Sequence, residues 1–183
     1  MKKAYVFLAY GFEEVEALTT VDLLRRAGIE VITVSMSTNN IISGAHKIPV
    51  VTDIKIDECV MCDADAIIIP GGQPGVDNLK ACDKMQKIIK FNYKKDKLIC
   101  AICAAPMILG EMGLLKGKKA TCYPGCEASL EGAILSDEKV CVDGNIVTSR
   151  GVGTAINFAL EIVKILNSQS KSDDVKKSIL ADL

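Results

Sequence analysis

Lys97-Leu98-Ile99-Cys100-Ala101-Ile102-Cys103-Ala104-Ala105-Pro106-Met107-Ile108-Leu109-Gly110 is the stretch whose reading decides the fold. Its first half is a short apolar run of strand length. Its second half reads as a helix with proline in the first turn, where the missing N–H leaves no bond unmade. Cys103 stands at the seam. A sulfur at such a turn lies near free helix N–H groups and the positive end of the dipole, which both favour thiolate. The same strand–turn–helix logic governs the nucleophile elbow of hydrolases. The competing expectation is a small buried cysteine that packs like alanine.

Outward from this seam, strand and helix signals alternate. Strands are expected at Ala4–Ala9, Glu30–Met36, Ala64–Ile69 and Lys118–Cys122, and at Val140–Asp143 and Ile146–Ser149 around Asp143-Gly144-Asn145. Helices are expected at Glu13–Ala27, closed by Gly28, at Gly75–Tyr93 and at Thr154–Asn167, with a short one near Val175–Leu183. Ile41–Val51, with Ser43-Gly44-Ala45 between apolar runs, reads as a hairpin. Apolar strands alternating with amphipathic helices imply an α/β fold, a mostly parallel sheet with helices on both faces. Ligands then sit beyond the carboxyl ends of strands, which singles out the loops Tyr10–Glu13, Pro70–Gly75, Cys103–Pro106 and Arg150–Gly153.

Composition narrows the class. The 183 residues are expected to form a single domain, with a core over about 3–167 and a short extension over 168–183. Hydrophobic residues make up 49% with no tryptophan, so the core should be aliphatic. Neither long apolar run, Tyr5–Tyr10 or Leu98–Leu109, is a membrane span. The start leads directly into a strand followed by Glu13-Glu14, unlike an ordinary signal peptide, and the expected location is cytoplasmic. The eight cysteines are accordingly expected as reduced thiols. A net charge of −1 gives no electrostatic case for nucleic acid or anionic membrane. The lysines between Lys80 and Lys97 read as a solvated helix face beside an inward stripe of Leu79, Cys82, Met85, Ile88 and Ile89.

Glu16 is the second anchor. On a helical wheel it falls between Leu23 and Ala27, about 20° from each, on the apolar face. A buried carboxyl there must be protonated or partnered. Glu13 and Glu14 suit the simpler role of complementing the helix dipole. Pro70-Gly71-Gly72-Gln73-Pro74-Gly75 follows an apolar strand, and its glycines allow a backbone N–H to approach a ligand. No Gly-Lys-Ser/Thr or GxGxxG phosphate loop is present. Cys59/Cys62, Cys100/Cys103 and Cys122/Cys126 raise the question of zinc. Cys100 lies within a strand, however, and a three-residue offset there turns side chains to opposite faces, so no metal site is expected. The single histidine, His46, reads as an exposed hairpin residue.

Five motifs occur in order: Gly11-Phe12-Glu13-Glu14-Val15-Glu16-Ala17, Asp22–Gly28, Pro70-Gly71-Gly72, Ala101-Ile102-Cys103-Ala104-Ala105-Pro106 and Thr148-Ser149-Arg150-Gly151. Together, over about Lys3 to Asn167, they resemble the ThiJ/PfpI family, in the branch of the Parkinson-associated deglycase. The resemblance implies a flavodoxin-like three-layer sandwich related to class I glutamine amidotransferases, and a homodimer. It implies Cys103 as the reactive nucleophile, Glu16 as its carboxyl partner, and backbone N–H groups of Gly72 and Ala104 as oxyanion donors. Gly71, Tyr123 and Arg26 are further candidates for orienting a substrate, and the sequence leaves open whether His46 or Arg26 approaches the pocket across an interface. No cofactor or metal is implied. The implied activity is glutathione-independent conversion of small aldehydes such as methylglyoxal to hydroxy acids, or repair of glycated groups. The alternative is an oxidative-stress sensor or chaperone using an oxidisable cysteine. Two departures matter. Thr121-Cys122-Tyr123-Pro124 has Tyr123 where some glyoxalase-active members carry histidine, and tyrosine is a poor base near neutrality. Ala104 stands where the protease-like branch has histidine, which disfavours proteolysis.

Overall fold

The computed structural model describes residues 1–60 and 63–181. Among these residues there are eleven strands: β1 (Lys3–Leu8), β2 (Glu30–Ser35), β3 (Ile41–Ser43), β4 (Pro49–Val51), β5 (Ile54–Lys55), β6 (Ala66–Ile69), β7 (Leu98–Ile102), β8 (Lys119–Ala120), β9 (Ile134–Leu135), β10 (Val140–Asp143) and β11 (Ile146–Ser149). Six α-helices join them: α1 (Glu14–Arg26), α2 (Gly75–Lys80), α3 (Asp83–Lys94), α4 (Pro106–Glu111), α5 (Ala155–Leu166) and α6 (Gln169–Ser178). The main sheet runs β10-β11-β7-β6-β1-β2-β5, parallel except for the β10–β11 hairpin at one edge. The β3–β4 hairpin and the β8–β9 pair stand apart from it.

Strand alternation divides the core in two. Val6 and Leu8 of β1, Ile68 of β6 and Cys100 and Ile102 of β7 pack toward α1 and α5. Tyr5, Phe7, Ile67, Ile69, Ile99 and Ala101 pack toward α2, α3 and α4. A period of two thus sends each strand's apolar residues to both faces, as a sheet covered on both sides requires. The architecture is the flavodoxin-like three-layer α/β sandwich.

Several boundaries differ from the sequence expectation, for physical reasons. The helix expected over Gly75–Tyr93 is two helices, broken where Cys82 takes an extended conformation. On one continuous helix at about 100° per residue, Val76 and Leu79 would face roughly opposite to Met85, Ile88 and Ile89. All five are buried in the same core, so the break is what turns both apolar faces onto the sheet. The last helix starts earlier than expected. Ser168 caps it by accepting a hydrogen bond from the Lys171 N–H at 3.1 Å, and Val175 docks on the α1/α5 core. Residues 182 and 183 of that expected helix, and Cys62 of the first cysteine pair, lie outside the described residues.

Candidate active site

The four loops expected at the carboxyl edge of the sheet meet there. The loop after β1 and the loop after β6 are laced together: Glu13 N–H donates to the Gly71 carbonyl at 2.9 Å and Gly75 N–H to the Gly11 carbonyl at 3.3 Å. Gly72 has φ +91°, and a Cβ on it would stand 2.4 Å from the Glu13 nitrogen, so only glycine fits. Cys103 follows β7 directly. Its N–H donates to the Ser149 carbonyl at 3.0 Å and its carbonyl accepts from the Tyr123 N–H at 2.8 Å.

Cys103 itself has φ +66°, in the left-handed region that costs an L-residue about 1–2 kcal/mol. This turn has a directional consequence. Continued alternation would send Cys103 to the α3/α4 side, but the side chain packs on the same α1/α5 core as Cys100 and Ile102. The expectation that Cys100 and Cys103 face apart is therefore corrected: the kink brings both to one side. Cys100 remains fully buried within the strand, and burial pushes its thiol up.

On that side lies α1, and Glu16 is fully buried as the helical wheel requires. Gly71 N–H donates to Glu16 Oε2 at 2.8 Å. Burial pushes the Glu16 carboxyl up to about 7; the Gly71 N–H and the Cys103 thiol pull it down, and the Glu13 charge adds to the rise. Burial pushes the Cys103 thiol up to about 12, aided by the Glu16 charge and hydrogen bond; the Ala104 and Gly72 N–H groups work against the rise. The thiol thus favours the Glu16 carboxylate, while that carboxylate opposes ionisation of the thiol. The simple expectation of a thiolate favoured by the turn is corrected accordingly. The helix beyond the turn, α4, has six residues and begins three positions on, so burial and the neighbouring carboxylate outweigh it.

Gly71 admits the thiol to this position. A Cβ on Gly71 would lie 2.5 Å from Cys103 Cβ and 2.8 Å from Glu16 Oε2. Tyr123, 52% exposed, puts its ring beside Gly151, which faces both Glu16 and Cys103. Cys103, Glu16, Gly71, Gly72, Ala104 and Tyr123 are therefore brought together. Arg26 is not. It lies ten residues from Glu16, about 15 Å along α1, and pairs with Asp22 at 2.7 Å on the exposed face.

Glu14 departs from its expected role. It is buried, and Oε1 accepts the His46 N–H at 2.8 Å while Oε2 meets His46 Nδ1 at 2.9 Å. These bonds pin the β3–β4 hairpin to the start of α1, and they hold the Glu14 carboxyl below its usual value against the cost of burial. Glu13, Glu14 and His46 form the one cluster of potential metal ligands among the described residues. The cysteine pairs considered for zinc form none among those residues. A thiol, a carboxyl poised near neutrality and two convergent N–H donors are the groups that add sulfur to a carbonyl and stabilise the resulting oxyanion.

The DJ-1/PfpI family pattern matches residues 2–165. Protein DJ-1 homolog A of Arabidopsis thaliana is 36% identical over 98% of this chain and 46% of its own length. The chain thus spans less than half of that relative. The glutathione-independent glyoxalase DJR-1.2 of Caenorhabditis elegans is 34% identical over 91% of this chain and 89% of its own. The solved structure of Toxoplasma gondii DJ-1, oxidized, superposes with a TM-score of 0.96 at 33% identity over all of both chains. By the family pattern and by its fold, the chain belongs to the DJ-1/PfpI family.

Proposed function

We propose that this protein is a cysteine-dependent, glutathione-independent glyoxalase acting on small α-oxo aldehydes such as methylglyoxal. The observation that carries the reading is the pairing of the half-buried Cys103 thiol with the fully buried Glu16 carboxyl beside the Gly72 and Ala104 N–H groups. Cys103 sulfur adds to the aldehyde carbon as its S–H proton passes to the Glu16 carboxylate, which hands that proton on to the new alkoxide oxygen, giving the hemithioacetal hydroxyl and restoring the carboxylate. The N–H groups of Gly72 and Ala104 stabilise the oxygen as it gains charge. Glu16 then moves the proton from the aldehyde carbon to the neighbouring carbonyl carbon, through an enediol, while the hydroxyl proton passes from the first oxygen to the second, leaving a lactoyl thioester. Water hydrolyses that thioester to lactate and free thiol. The net change is methylglyoxal plus water to lactate, with no oxidant or reductant. Tyr123 orients the substrate from the open side. The named activity of the Caenorhabditis elegans relative supports this class of reaction.

A second reading has its own observation. A thiol held high by burial, with tyrosine rather than histidine beside it, suits slow oxidation more than rapid turnover. Cys103 would consume two hydrogen peroxide molecules, giving sulfinate and two waters, with Glu16 and the same N–H groups holding the product oxygens. Purified protein should release lactate from methylglyoxal without glutathione. No lactate, together with a gain of two oxygens on Cys103 alone after mild peroxide, would overturn the enzyme in favour of the sensor.

We also propose a homodimer in a reducing, cytoplasmic setting. Val15 and Leu18 of α1 are exposed near Ile41, Ile48 and Val51 of the adjoining hairpin. Exposed apolar side chains on a helix and on the hairpin tied to it suit a second copy. Sedimentation should give twice the 19.6 kDa chain mass; a monomer at micromolar concentration would refute the assembly.

A further inference from the structure

Gly151 faces Cys103 across the pocket. A carbon placed where its Cβ would stand lies 3.4 Å from Tyr123 Cδ2, 3.8 Å from Glu16 Oε1 and 3.9 Å from Cys103 Sγ. These are ordinary van der Waals separations. The space therefore accepts one non-hydrogen atom in simultaneous contact with ring, carboxyl and thiol. Glu16 Oε1 is fully buried and has no hydrogen-bond partner among the described residues, while Oε2 is held by Gly71. A buried polar atom left in this way calls for a partner, and the space beside Gly151 is where one can stand.

The other walls are closed. Gly71 is already in contact with Cys103 Cβ, and Gly72 is pressed against the Glu13 backbone. The Gly151 wall is fixed as well. Its N–H donates to Thr154 Oγ1 at 3.1 Å, and its carbonyl accepts from Thr154 N–H at 2.8 Å and Thr154 Oγ1 at 2.9 Å.

We propose that the bare face of Gly151, opposed by the Tyr123 ring, is the specificity-determining wall of this site. It admits an electrophilic carbon whose neighbouring atom is a small polar group, hydroxyl or carbonyl oxygen, held by Glu16 Oε1. The ligand class is a compact two-carbon unit with oxygens on adjacent carbons, and bulkier electrophiles are turned away by contact with the wall. This rests on the Cys103–Glu16 site of the proposed function but concerns size selection at the thiol, not turnover.

The test reads Cys103 itself. Purified wild type, Gly151→Ala, Tyr123→Ala and the double variant are treated with hydrogen peroxide, iodoacetamide or N-ethylmaleimide, and modification of the Cys103 peptide is timed by mass spectrometry. Gly151→Ala should slow alkylation by iodoacetamide about 10-fold, a barrier change of about 1.4 kcal/mol, while peroxide oxidation changes less than about 3-fold. The double variant, which reopens the space from the ring side, should recover alkylation to within about 3-fold of wild type. Tyr123→Ala alone should raise the rate with N-ethylmaleimide relative to iodoacetamide; this arm leaves the Gly151 backbone untouched. Equal slowing of both small reagents, no slowing, no recovery in the double variant, or an unchanged maleimide ratio in Tyr123→Ala would overturn the proposal. Absence of lactate formation would remove the proposed reaction and leave this size selection standing.

Discussion

Cys103→Ala should lose lactate formation from methylglyoxal by at least about 10³-fold, because the sulfur that forms the covalent intermediate is gone and nothing replaces it. Cys100, the nearest thiol in sequence, is sealed inside β7. Cys122 packs in the opposite core. The fold should survive, since the half-buried Cys103 is shortened by one atom at a position whose backbone is already set by Ser149 and Tyr123. A paired comparison sharpens this. Cys103→Gly should be more stable than Cys103→Ala by about 1 kcal/mol, because glycine relieves the left-handed backbone at φ +66°. Denaturant midpoints check the ranking, and lactate assays check the loss. Wild-type turnover in Cys103→Ala would refute the nucleophile.

Glu16→Gln should separate stability from chemistry. The Glu16 carboxyl titrates near 7 in the fold, against a usual 4.5, because burial disfavours the charge. The folded chain therefore binds this proton more tightly than the unfolded chain. The stability linked to it is complete below about 4.5 and is lost as pH rises through about 7. The difference amounts to about 3 kcal/mol, at about 1.4 kcal/mol per pH unit. Glutamine can keep the Gly71 hydrogen bond and present its amide to the thiol without charge. The variant should thus be more stable than wild type at pH 8, by up to about 3 kcal/mol, and about equal at pH 4. Urea midpoints across pH would show it; parallel curves would count against a buried, near-neutral carboxyl. The Cys103 thiol should ionise at lower pH in the variant, since the Glu16 charge that raises it is gone. Turnover should nonetheless fall about 10²–10⁴-fold for want of the proton carrier. A more reactive thiol with less lactate would mark Glu16 as the group that moves the proton.

Much of this was legible in the residues because the signals were local or periodic. Leu98–Ile102, Ala66–Ile69 and Lys3–Leu8 declare buried parallel strands by apolar continuity, and Glu16 declares its burial by its angle on α1. What was not legible depends on contacts distant in the chain. Glu14 lies on a different side of α1 from Glu16, and only the hairpin tip at His46, 32 residues on, makes its burial satisfiable. The break between α2 and α3 answers to a shared sheet face that no window of sequence displays. Ser168 did carry a local signal, a capping serine ahead of a polar helix. The thiol's reluctance to ionise follows from burial and Glu16 together, neither of which the strand–turn–helix pattern around Cys103 records.

The Cys103 N–H bond to the Ser149 carbonyl, described above as one tie among several, also sets a schedule for the chain's birth. Glu16, Gly71 and Cys103 are all synthesised well before the strand that carries Ser149. Until β11 pairs with β7, the Cys103 N–H lacks the carbonyl that accepts it in the finished fold. A chain truncated before Ser149 should lose the protection of the Cys103 amide against hydrogen exchange, and the turn that sets the thiol should hold only when the sheet closes beside it.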